Sequence, residues 1–102
     1  MIVRIFRVSV PEDLHKEFET KFLSVSVTYV KQQPGLISVE VGKPTIWQSD
    51  EYVMISHWQD TQSLIAFAGE EWHQAVIPDG MEKYVRQCWV HHYEIFVDIA
   101  KY

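Results

Sequence analysis

The chain has 102 residues, 47% hydrophobic and 23% charged, which supplies one apolar core and is too short for two domains. Nine Lys and Arg against fourteen Asp and Glu leave a net charge of −5. That balance excludes nucleic acid as a partner, because such binding draws its affinity from cations that neutralise phosphates.

Cys88 is the single cysteine and cannot form an internal disulfide, which fits a reducing compartment. No apolar run approaches the roughly 18–20 residues that span a bilayer, so a cytoplasmic protein with no membrane partner is expected.

Ile2 to Val10 alternates and is predicted as a strand. Ile2, Arg4, Phe6 and Val8 share one face, and Val3, Ile5 and Arg7 share the other. Both faces are mostly apolar, which suits a central strand covered on both sides. Pro11-Glu12-Asp13 opens a helix: proline tolerates the first turn, the acids suit the helix dipole, and Ser9 with Glu12 has the spacing of a capping box.

The helix is expected to run to about Gln33, on a stripe of Leu14, Phe18, Phe22, Val25 and Tyr29. The stretch Ser24 to Val30 is β-branched and alternating, but the stripe stays in phase through it and no turn residue intervenes. Pro34-Gly35 is a turn, and Leu36 to Val41 a second strand. Thr45 to Asp50 is a connection that carries Trp47, and Glu51 to Trp58 is a third strand.

Asp60 caps a short helix through Phe67. Gly69 interrupts it, Glu70 to Ile77 resumes it for another turn or two, and Pro78-Asp79-Gly80 ends it. A short helix is expected over Met81 to Arg86, and Gln87 to Val97 is the final strand.

The order β-α-β-β-α-β is that of an α+β, ferredoxin-like domain. Two right-handed crossovers give an antiparallel four-stranded sheet of order 4-1-3-2 with both helices on one face. The other face is also apolar and too large a patch for a monomer, so a homodimer packed sheet to sheet is expected.

The alternating first strand, Pro34-Gly35 before the second, His57-Trp58-Gln-Asp ending the third, then Leu64, Phe67 and Glu71-Trp72-His73 resemble the antibiotic biosynthesis monooxygenase family of the dimeric α/β-barrel superfamily. The resemblance covers nearly the whole chain. It implies a pocket between sheet and helices, and a cofactor-independent monooxygenase acting on a small aromatic or quinol-type substrate.

Haem-degrading members rely on an Asn on strand one, a Trp on the second helix and a downstream His. The matching positions here hold Phe6, Phe67 and Ile77, and the chain has no Asn at all. Haem degradation is therefore the weakest reading, behind a non-catalytic small-ligand-binding or stress-related dimer.

Cofactor-free oxygenation needs a base, a donor for the developing oxyanion and a dry aromatic pocket. His73, placed on the second helical segment beside the expected cavity mouth, is the first candidate base and His57 the second. Trp58, Phe67, Trp72 and Tyr29 are candidate pocket walls. The bland alternatives are a solvent-facing His73, a core or interface His57, and structural aromatics.

His91 and His92 are adjacent on a strand and point to opposite faces, one toward the cavity and the other toward the dimer interface or solvent. His57 lies two strands away from them, so no metal site is expected. His15 lies on the polar side of its helix, and Cys88 is read as a buried inert thiol. There is no Gly-rich phosphate loop, CxxC or nucleophile elbow.

Overall fold

A computed structural model describes residues 1–97. The four strands are β1 (Ile2–Ser9), β2 (Leu36–Gly42), β3 (Glu51–Trp58) and β4 (Gln87–Glu94). They form one antiparallel sheet in the order β2-β3-β1-β4, which is the expected topology. The α+β ferredoxin-like fold is thus in place. No helix among the described residues is long and apolar enough to cross a membrane.

The register assigns the two faces. Arg4 pairs with Ser56 on one side and His92 on the other, and Ile5 pairs with Ile55 and His91. Side chains alternate along a strand, so Ile2, Arg4, Phe6 and Val8 lie with Tyr52, Met54, Ser56 and Trp58 against the helices. Most of that face is buried. The opposite face carries Val3, Ile5, Val53, Ile55, Trp89 and Tyr93, the last two exposed.

The first helical rod differs from expectation in detail. Pro11 precedes a 3-10 turn at Glu12–Leu14 and its cap receives no side-chain bond, so Ser9 forms no capping box. The rod continues as α1 (His15–Lys21), a π-helical stretch Phe22–Val27, and α2 (Thr28–Lys31), two residues short of Gln33. Just past the π stretch, the Thr28 side-chain Oγ1 donates to the Leu23 carbonyl at 3.1 Å.

This local unwinding shifts the apolar stripe by one residue. Phe18, Phe22, Ser26 and Val30 are buried, where an uninterrupted α-helix would turn Val25 and Tyr29 inward. Tyr29 is left 40% exposed.

α3 (Thr61–Ala68) is capped by Asp60, whose Oδ1 accepts from the Ser63 N–H at 2.8 Å. Beyond Gly69 the expected continuation does not form: 70–77 is a turn followed by irregular chain. Two carbonyls that a helix would use internally, those of Trp72 and Gln74, accept instead from the Arg4 side chain. Met81 to Arg86 condenses to a 3-10 turn at Glu82–Tyr84, and the last strand stops at Glu94 rather than Val97. Ile46 and Trp47, each 86% exposed, form the tip between β2 and β3.

Candidate active site

The rod, α3 and the irregular segment after it enclose a cavity above β1 and β3. It spans about 590 Å³ with its open mouth, and Phe6, Phe18, Phe22, Tyr29 and Phe67 give it an aromatic lining. Within it, space for the centre of a water-sized sphere is about 40 Å³. The mouth opens into a groove between the rod and Val76 to Asp79; Tyr29, Val76, Ile77 and Pro78 line both spaces. Val76, Ile77 and Pro78 belong to the irregular segment, and Tyr29 to α2 just after the π-helical stretch.

Arg4 is the charged group of the lining and is only 4% exposed. Its Nη1 donates to the Trp72 carbonyl at 2.8 Å and to His92 Nε2 at 3.0 Å, and its Nη2 to the Gln74 carbonyl at 3.0 Å. The guanidinium carbon sits 5.7 Å from the centroid of the Phe67 ring, within cation–π range. No carboxylate pairs with it among the described residues. Burial lowers its pKa to about 10, so it stays cationic at neutral pH.

Arg4 only donates, so His92 Nε2 must be the acceptor and the ring is neutral with its proton on Nδ1. Burial, then the Arg4 charge, then His91 push the His92 pKa down to about 4. The ring stands edge-on to Trp72, with centroids 4.7 Å apart. His92 therefore holds Arg4 and is a poor base at neutral pH.

The site residues expected from the sequence separate into three places. Tyr29 and Phe67 line the cavity, with ring centroids 5.7 Å apart. Trp58 is fully buried behind Phe67, stacked on it at 5.0 Å, and donates its indole N–H to Ser56 Oγ at 3.0 Å. Trp72 backs the site through its carbonyl to Arg4, and its ring packs on His92 outside the lining.

His73 corrects the expected placement. It stands on a turn with its side chain 70% exposed, 3.5 Å from Glu71 and outside the lining, because the chain around it does not continue the helix. His57 faces the other side of the sheet, where its Nδ1 is 3.3 Å from Ser38 Oγ. Cys88 is exposed rather than buried. His91 and His92 do point to opposite faces, and His92 is the one on the helix side. His15 is tied to the fold, with Nε2 2.8 Å from the Val10 carbonyl. Tyr52 gives its hydroxyl to Glu19 at 2.6 Å. Among the described residues no three His, Cys, Asp or Glu side chains are grouped to hold a metal ion.

Sequence reasoning missed Arg4. The signal was a charged residue at a core-facing position of an alternating strand, between Ile2 and Phe6.

The model of the antibiotic biosynthesis monooxygenase family matches residues 1–79. The chain belongs to that family. No protein of curated function matches it. Among solved structures, a candidate antibiotic biosynthesis monooxygenase from Deinococcus radiodurans superposes with a TM-score of 0.76 at 12% identity, covering 100% of this chain and 99% of the other. The haem degrader MhuD from Mycobacterium tuberculosis, with two haems bound in its active site, gives 0.72 at 18% identity, covering 98% and 100%. SnoaB from Streptomyces nogalater, a cofactor-independent oxygenase, gives 0.71 at 13% identity, covering 98% and 97%. At these identities the likeness is one of fold.

The three positions matched by sequence to the haem degraders' Asn, Trp and His are Phe6, Phe67 and Ile77, and all three line the cavity. No histidine, and no other imidazole or thiolate ligand, lines the cavity. The residues present do not fit haem.

Proposed function

We propose that the protein is a monooxygenase-type enzyme that oxygenates a small planar aromatic or quinol-type substrate in this cavity, without a bound cofactor, as a cytoplasmic homodimer. The observation that carries the reading is a cavity walled by five aromatic rings with a buried guanidinium in its lining. Phe67 and Tyr29 flank the ring of the substrate, and Trp58 stiffens Phe67 from behind.

Arg4 stabilises negative charge on a substrate oxygen, where the low dielectric makes a fixed cation worth far more than in water. Its charge acidifies the substrate, whose proton leaves to water in the groove. The resulting electron-rich ring passes electrons to dioxygen and a carbon–oxygen bond forms. For a ring methylene, one oxygen atom becomes the carbonyl and the other leaves as water with the two hydrogens, so no external reductant is consumed. The apolar walls keep water from the reactive intermediate.

Oxygen uptake over a panel of anthrones and quinols tests the reading. Enzyme-dependent uptake above the spontaneous rate, with one dioxygen per substrate, is expected. No uptake above that rate, alongside binding of the same compounds in a thermal-shift assay, would favour a non-catalytic ligand-binding dimer instead.

A further inference from the structure

Arg4 has five N–H donors and the described residues take three of them. The Nε–H, and the second hydrogen of Nη2 beside it, have no acceptor among those residues. Nε and Nη2 together form the side edge of the guanidinium, the edge that grips a carboxylate with two parallel bonds. Arg7, three residues along the same strand, shows that edge occupied: its Nε and Nη2 meet the two Glu51 oxygens at 2.7 and 3.1 Å. On Arg4 no carboxylate takes that edge among the described residues: Nε is free and Nη2 has one hydrogen to spare, in a side chain that lines a cavity and is almost wholly buried.

A buried cation without a counter-ion is costly, and the cost falls when an anion takes its place beside it. We propose that the cavity binds its planar aromatic ligand as an oxyanion, a carboxylate or an ionised phenol, with the anionic oxygens on the Nε–Nη2 edge of Arg4. This rests on the cavity being the substrate site and specifies the substrate class. The preference for an anion is local. The chain carries a net charge of −5 and as a whole repels anions.

The test is calorimetric titration of the full chain at pH 7.5 with 2-naphthoate, its neutral methyl ester and ionised 4-nitrophenol. The first and third separate a two-oxygen from a one-oxygen anion. At least one anion is expected to bind about tenfold or more tighter than the ester. Arg4→Met brings the anions level with the ester. Arg4→Lys, which keeps the charge and loses the fork, retains only part of the preference and serves also if Arg4→Met fails to fold.

An ester that binds as tightly as both anions, or no binding by either anion to the wild-type chain, overturns the proposal. Anion preference without oxygen uptake leaves this inference standing and removes the oxygenase reading. Uptake without anion preference does the reverse.

Discussion

Arg4 and His92 face each other across β1 and β4, with Nη1 3.0 Å from Nε2, and the same guanidinium ties the Trp72 and Gln74 carbonyls to the sheet. One side chain therefore charges the cavity and anchors the irregular wall that closes it. Arg4→Met is expected to change global stability by no more than about 1–2 kcal/mol, because the desolvation cost of a buried cation disappears along with its hydrogen bonds. The local effect is larger. Hydrogen exchange over residues 71–77 accelerates in the variant while β1 and β3 stay protected. Unchanged exchange in that segment would contradict the anchoring role.

His92 makes stability pH-dependent in a defined window. Its folded pKa is about 4, against about 6.5 for a free imidazole. Between those values the unfolded chain binds a proton that the folded chain refuses, so stability falls as pH drops from about 6.5 toward 4 and is unaffected by this group above 6.5. Glu17 and Asp60, whose carboxyls are held low by Lys83 with Tyr84 and by Ser63 respectively, add their own loss only at the acid end. His92→Gln removes the upper limb of the profile. Urea melts at pH 7 and pH 5 check this: the wild type loses stability between them, and the variant loses markedly less.

The path of the chain was largely readable because strand alternation and helical stripes are local signals. The faces of β1 and β3, the 4-1-3-2 order and the Asp60 cap all follow from spacing. The site was less so. His73 drew attention as a titratable group beside an aromatic, but its position depends on where 70–77 goes. That path is set by a guanidinium 68 residues away in sequence from Trp72. Tyr29 stands at the mouth because a π-helical stretch shifts the stripe, and nothing in the α-helical period announces that shift. Trp58 and Trp72 were read as walls and act from behind, since register fixes a strand face but not how far each ring reaches.

Gly35 is set where a side chain cannot go. Its φ is +86°, and a Cβ there would lie 2.1 Å from Ser63 Oγ at the start of α3. Gly35→Ala is expected to destabilise by about 2 kcal/mol or more, of which about 1–2 is the left-handed backbone cost. Asp60→Ala, which removes the cap over the same Ser63, costs about 1 kcal/mol. Denaturant melts measure both, and a Gly35→Ala variant as stable as wild type would show that the turn can relax.

The sheet face opposite the cavity leads to the expected second copy. Ile5 and Ile55 pair at its centre, flanked by His91 on β4, with Arg7 bridging Glu51 and lying over Trp89 at 5.2 Å. Ile55→Glu puts a charge in the middle of that patch and is expected to convert a micromolar dimer to monomer in sedimentation velocity without unfolding it. A wild-type chain that sediments as a monomer would remove the dimer.

The most direct measurement is turnover of an anthrone under ¹⁸O-labelled dioxygen, with wild type and Arg4→Met compared. The account predicts one labelled atom in the product carbonyl, formed above the spontaneous rate by the wild type and about a hundredfold more slowly by the variant, the usual cost of losing one oxyanion donor. Label incorporation at the same rate with both proteins, or only at the spontaneous rate with either, would contradict it.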